Sequence, residues 1–243
     1  MLEVKVLGCN GLYPVNNVNT SGYLVSGDNF NFVLDVGSGV FNTLSSFIKP
    51  EKVDAIFISH LHFDHLSDMG VYNYYLEYLS KKGEFDGKIK VFIKKSESVV
   101  YQSIASLSYF ELCDFEEDSL FNFKGAMLSF FKTAHPVLTY GITISFAKKT
   151  LTYSSDGAVS ENLKKSIKNS DLTICHAPLL LKNVGVNKAH ASAYEVCALA
   201  KKYKTKVLLS HYLPNGNQVD LKKEIEEFEG FYQFVKQSES YKV

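Results

Sequence analysis

At 243 residues and 46% hydrophobic content, the chain can bury a sizeable core as one domain spanning 1–243. Its 26 basic residues, all of them lysine, balance 26 acidic ones, so there is no net positive field to hold nucleic acid or an anionic membrane, and no guanidinium fork to grip a phosphate. The chain opens directly on an alternating strand, has no apolar run of membrane-spanning length, and spaces Cys9, Cys113, Cys175 and Cys197 without a CxxC pair; a cytoplasmic protein with reduced thiols is the expectation.

Short strands are predicted first, over Leu2 to Gly8, Gly22 to Ser26 and Phe30 to Val36, separated by Gly-Asp-Asn and similar turn chemistry. Strand and helix then alternate: a helix after Gly39, a strand at Asp54 to Ser59, a helix at Asp68 to Ser80, a strand at Lys88 to Ile93 and a helix from about Ser96. A second strand-rich stretch covers Phe110 to Phe115, Ala126 to Thr133, Thr139 to Phe146 and Thr150 to Ser154. Alternation resumes with helices at Val159 to Lys168, Ala191 to Lys202 and Val219 to Phe228, between strands at Leu172 to Cys175, Val207 to Ser210 and Tyr232 to Val235. The two halves look alike, which suggests two sheets packed face to face with helices on both outer faces.

The chemistry concentrates at Ser-His-Leu-His-Phe-Asp-His, Ser59 to His65, delivered into a loop by the apolar strand before it. Four ligands within six residues do not all face one ion easily. The spacing sends His60 and His62 to one cation and Asp64 with His65 to a neighbour, the arrangement of a two-metal site. His135, Asp156, His176 and His211 each follow an apolar strand, so they are the other candidates for the same rim. Asp156 is the best bridging ligand, because a carboxylate can span two cations and hold a hydroxide between them.

Several of these segments resemble the metallo-β-lactamase-fold hydrolases: Leu-Gly-Cys-Asn-Gly-Leu-Tyr-Pro near the start, Leu-Asp-Val-Gly-Ser-Gly at Leu34 to Gly39, His-Leu-His-Phe-Asp-His, His135, Ser-Ser-Asp156-Gly and Ser-His211-Tyr. Ala189-His190-Ala-Ser-Ala-Tyr-Glu195 is similar to a motif of the ribonuclease Z-like phosphodiesterase branch. The resemblance implies an α/β fold, the four-layer αββα sandwich. It implies two zinc ions, with manganese as the alternative. One would be held by His60, His62 and His135, the other by Asp64, His65 and His211, with Asp156 between them. It gives His190 the role of contacting the scissile phosphate or protonating the leaving oxygen, and places Asp35 behind the ligands as an orienting group.

Two departures bear on substrate. The branch places a glutamate after the histidine corresponding to His176, where this chain has Ala177; His176 either takes over the orientation of His190 or fills a structural role. Between His135 and Asp156 there is room only for a hairpin, not for the long arm with which true ribonuclease Z enzymes grip transfer RNA. Lysine pairs such as Lys81-Lys82 and Lys94-Lys95 read as solvated faces, and the tyrosines at 72, 74, 75 and 78 as a packing face more readily than as a base-stacking platform.

The expected activity is thus phosphodiester hydrolysis, on an RNA 3′ end, a cyclic nucleotide or another small phosphodiester. Carboxylester, thioester, lactone or sulfate hydrolysis at the same site is the alternative, and a non-catalytic metal-binding scaffold a further one. No membrane partner is expected. Relatives of this kind often dimerise, which leaves a homodimer as one option for an oligomeric state that the sequence does not give.

Overall fold

The structure, a computed structural model, describes residues 1–117, 119–213 and 218–243. The first half forms β1 (Glu3–Gly8), β2 (Gly22–Ser26), β3 (Asn31–Leu34), β4 (Ala55–Ile58), β5 (Ile89–Ile93) and β6 (Phe110–Cys113), with helices α1 (Val40–Ser45), α2 (Phe63–Leu66), α3 (Met69–Lys81) and α4 (Val99–Ala105) between strands. The second half supplies β7 (Leu120–Phe123), β8 (Ala126–Lys132), β9 (Tyr140–Phe146), β10 (Lys149–Tyr153), β11 (Leu172–His176), β12 (Lys206–Ser210) and β13 (Tyr232–Phe234), with α5 (Glu161–Lys168), α6 (Ala193–Tyr203) and α7 (Gln218–Glu224). A last strand, β14 (Ser240–Lys242), returns to pair antiparallel with β1.

The two sheets run β14-β1-β2-β3-β4-β5-β6 and β13-β12-β11-β10-β9-β8-β7. Each contains an antiparallel meander continued by parallel strands: β3, β4, β5 and β6 in the first sheet, β10, β11, β12 and β13 in the second. The likeness of the two halves is therefore topological.

Side-chain alternation shows why the central strands read as unbroken apolar runs. In β4, Ala55 and Phe57 enter the cluster between the sheets, while Ile56 and Ile58 pack with Leu66, Met69, Tyr72 and Leu76 from the helices outside. In β12, Leu208 faces inward, and Val207 and Leu209 meet Val196, Cys197 and Ala200 of α6. Strands buried on both faces need apolar residues at every position. The result is the expected αββα layering.

Three elements were not predicted, each for a local reason. β7 alternates exposed and half-buried residues at a sheet edge, and β14 has three residues of which only Tyr241 is buried. α2 is a single turn within the ligand loop. The helix predicted over Val219 to Phe228 breaks into α7 and a 3-10 turn at Glu226–Phe228. The helix predicted from Ser96 starts at Val99, because the Ser98 hydroxyl accepts the Tyr101 N–H as a cap. Among the described residues, no helix is long and apolar enough to cross a membrane.

The tyrosines of α3 divide. The Tyr72 hydroxyl donates to the Pro50 carbonyl in the core and Tyr75 donates to Glu51, while Tyr74 and Tyr78 are exposed. Between His135 and Asp156, the chain forms the β9–β10 hairpin, closed by Ala147 and Lys148 at φ of 50° and 64°, the left-handed pair of a type I′ turn.

Candidate metal centre

All seven histidines of the chain gather in one ring-to-ring network at the carboxyl ends of the parallel strands. His60, His62, Asp64 and His65 follow β4 into α2, His176 ends β11, and His211 follows β12. His135 and Asp156 sit on turns tied together: the Thr133 hydroxyl donates to the Asp156 carbonyl at 2.6 Å and the Ala158 N–H to the Ala134 carbonyl at 2.9 Å.

Two groups of donor atoms lie within 4.8 Å of one another. The first is His60, His62, His135 and Asp156; the second is His65, Asp156, His176 and His211. Asp156 belongs to both. Its Oδ2 lies 3.8 Å from Nε2 of His60 and 3.6 Å from Nε2 of both His65 and His211. Those spacings are long for hydrogen bonds, but donors about 2.1 Å from a shared tetrahedral cation stand about 3.4 Å apart. Asp64 Oδ2, 3.6 Å from His65 Nε2 and 3.8 Å from His211 Nε2, has the same relation to the second group.

His176 differs from the other histidines of that group. Its Nδ1 meets Asp156 Oδ1 at 2.7 Å and its Nε2 meets the Tyr23 hydroxyl at 3.1 Å, so both nitrogens are occupied. It holds one oxygen of Asp156 and leaves the other facing the two groups. It does not orient His190.

The remaining ring nitrogens test whether cations fit. His60 Nδ1 meets Ser59 Oγ at 3.1 Å, His65 Nδ1 meets Asp35 Oδ2 at 2.7 Å, His135 Nδ1 donates to the Ala189 carbonyl at 2.9 Å, and His211 Nδ1 meets Ser21 Oγ at 3.2 Å. With each Nδ1 held, Nε2 points inward. Among the described residues, Nε2 of His65, His135 and His211 is buried without any hydrogen-bond partner, a costly state that a cation relieves. Asp35 is shared behind them: besides His65, it accepts from the Ser59 N–H and hydroxyl, both at 2.8 Å, and from the Tyr153 hydroxyl.

Burial, reinforced by neighbouring imidazoles, keeps His60 and His211 well below the usual imidazole range, so both are neutral at pH 7, the form that ligates metal. Burial works against His65 too, but the Asp156 and Asp35 carboxylates outweigh it and raise its pKa. Acid should therefore destabilise the metal-free protein. Below the unfolded value of 6.5, the unfolded chain protonates histidines that the native state keeps neutral. Each such residue removes up to about 1.4 kcal/mol per pH unit. Well below 6.5, His65 is protonated in both states and adds no slope; its contribution declines as pH rises from the unfolded value and is lost as pH passes its raised folded value. The Tm of the metal-free protein should fall between pH 6.5 and 5, and calorimetry showing a flat or rising Tm would contradict this.

A strap from the amino-terminal loop crosses the second group. The Gly11 N–H donates to the Tyr212 carbonyl at 2.8 Å, and the Leu12 N–H to Asp64 Oδ2 at 2.9 Å. A Cβ on Gly11 would lie 2.6 Å from His211 Nε2, and the His211 ring is fully buried. Gly11→Ala should therefore displace the donor nitrogen and weaken metal binding about 10- to 100-fold with the fold kept, as metal titration monitored beside circular dichroism would show. Nothing in the local sequence pattern marked this contact, nor those of Ser21, Tyr23, Tyr153 and the Ala189 carbonyl; all of them form only when segments distant in sequence meet.

His190 lies beside the cluster, its ring centroid 5.5 Å from that of His135 and 5.2 Å from that of His211. Its Nδ1 is buried without a hydrogen-bond partner among the described residues, and burial lowers its pKa. Glu195 does not orient it, being committed to the capping box of α6 through the Ser192 N–H and hydroxyl.

Paired sheets of this topology, with a histidine and aspartate cluster at one edge, define the class: a metallo-hydrolase of the metallo-β-lactamase fold. Within that class, the chain belongs to the family described as anti-Pycsar protein Apyc1, whose model matches residues 2–241. It is 28% identical over 228 residues to the probable metallo-hydrolase YhfI of Bacillus subtilis (strain 168), covering 92% of each chain. The crystal structure of YhfI superposes with a TM-score of 0.92 at 26% identity, covering 99% of this chain and 98% of that one. Two further structures are similar in fold alone. They are the short form of human tRNase Z (TM-score 0.74, 18% identity, 99% of each chain) and a diphosphatase of the PhnP family (TM-score 0.78, 13% identity, 100% of this chain and 98% of that one).

Proposed function

We propose that this chain is a dinuclear metal-dependent phosphodiesterase acting on a small phosphodiester. His60, His62 and His135 serve one cation, Asp64, His65 and His211 the other, and Asp156 both. The observation that carries this reading is the single oxygen of Asp156 standing 3.6–3.8 Å from inward nitrogens of both groups. Imidazole and carboxylate donors suit zinc, and manganese is the alternative. When bound, two such cations would acidify a water and offset charge on phosphoryl oxygens.

The protein's own groups supply the rest. Asp64 and Asp156 accept hydrogen bonds from the attacking water and fix its approach. His190, kept neutral by burial in the free protein, takes up a proton from solvent when the negative charge of a phosphodiester lies beside it, and gives that proton to the ester oxygen as its bond to phosphorus breaks, while the proton lost by the attacking water returns to solvent. The strap at Leu12 and the buried pair of Asp156 with His176 keep the carboxylates from turning away.

A small substrate is favoured over a long RNA. The β9–β10 hairpin has a two-residue turn instead of an arm, and at least one lysine of four of the lysine pairs is held by a carboxylate: Lys81 by Glu77, Lys82 by Glu84, Lys94 by Asp114 and Glu116, Lys149 by Asp171, and Lys164 by Glu161. RNA binding ordinarily gains much of its affinity from unpaired cations. Two of the fold neighbours, tRNase Z and the diphosphatase, carry names of enzymes that cleave bonds at phosphorus, which is consistent with phosphoryl chemistry at this fold's metal site. A panel of bis(p-nitrophenyl) phosphate, a cyclic nucleotide, precursor tRNA, p-nitrophenyl acetate and a lactone tests it. Turnover of the small phosphodiesters is expected; ester or lactone turnover without it would reject the proposal.

A further inference from the structure

Beside the first ligand group, a cavity of about 270 Å³ opens between the ends of β4 and β5, α4 and the segment after His135. His60 and His62 form one wall, so whatever binds there is continuous with the metal centre. The other walls are apolar, from Leu61, Ile93, Val100, Val137 and Leu138. His190 does not line it.

The polar side chains at its edge are already committed. The Lys94 ammonium donates to the Phe115 carbonyl and pairs with Asp114 and Glu116. The Ser96 oxygen accepts the Ser98 N–H, and the Ser98 oxygen accepts the Tyr101 N–H. The cavity thus offers no free charge to a phosphate, and only serine O–H donors to a ring heteroatom. Pockets for drug-sized ligands run to roughly 300–1,000 Å³; this one is smaller and suits a single ring system.

Resting on the phosphodiesterase reading, we propose that this cavity seats the organic group of the substrate, an uncharged aromatic or heteroaromatic ring, and sets specificity. The phosphodiester then lies over the metal ligands while the ring, attached through the ester oxygen that does not leave, is buried against Leu138 and Val100. Discrimination comes from apolar burial and not from charge.

The experiment compares two esters with the same leaving group, bis(p-nitrophenyl) phosphate and methyl p-nitrophenyl phosphate, in the metal-loaded wild type, Leu138→Trp and Leu138→Asn. Leu138 is 48% exposed, so the fold tolerates both changes. Their ratio of kcat/KM cancels differences in metal loading, and comparing variants cancels intrinsic reactivity. Both variants should lower the ratio about tenfold, the worth of burying part of a ring. A ratio unchanged within about twofold in both, against that expected burial, overturns the proposal.

Saturation-transfer NMR of the metal-free protein with 4-nitrobenzyl alcohol, a phosphate-free probe, separates the two readings. If the wild type hydrolyses neither ester yet gives a signal that Leu138→Trp removes, the phosphodiesterase reading fails and the ring site stands. No signal in the wild type, or an equal signal in the variant, overturns the ring site whatever the turnover.

Discussion

Asp156→Asn should lower turnover of bis(p-nitrophenyl) phosphate by about a thousandfold or more, corresponding to about 4 kcal/mol of lost transition-state stabilisation. Asparagine keeps the shape, and its carbonyl oxygen can still meet His176 Nδ1, so the fold and the buried hydrogen bond survive. The negative charge facing both ligand groups does not. Metal binding should fall from two equivalents to one or fewer, because no other carboxylate oxygen stands within 4 Å of nitrogens from both groups among the described ion pairs; Asp64 reaches only His65 and His211. Metal analysis of the variant beside its turnover checks both parts. Full loading with two equivalents would show that Asp156 does not link the sites.

His190→Ala separates chemistry from metal binding. Hydrogen-bonding and proton-transfer residues contribute about 10²–10⁴-fold, and a turnover loss at the lower end is expected for a histidine that burial keeps neutral. Metal content should stay at the wild-type value. His135 is held by the Ala189 carbonyl, a backbone group that the substitution leaves in place. If the variant instead loses metal, His190 is a ligand and the assignment of roles is wrong.

The sequence carried the architecture well and the site's geometry partly. Strands buried on both faces, such as β4 and β12, announce themselves as apolar runs, and runs followed by histidine or aspartate point to one rim. The edge strands β7 and β14 were illegible, because their pairing rests on distant partners more than on their own pattern.

At the site, the density of Ser59 to His65 marked the centre, but spacing could not show which atoms face one another. The second spatial group contains His176 where the family pattern pointed to Asp64, and only the contacts with Tyr23 and Asp156 Oδ1 explain that difference. The closeness of the Gly11 backbone to His211 was hidden for the same reason: the two are 200 residues apart in sequence and meet only after both sheets have packed.

The central claim is that two cations share Asp156. Titrating zinc into chelator-stripped wild-type protein and following the heat of binding addresses it most directly. Saturation at two equivalents per chain, with proton release from His65, which the Asp156 and Asp35 carboxylates keep protonated in the metal-free protein, is the predicted result. Saturation at a single equivalent would contradict a dinuclear centre.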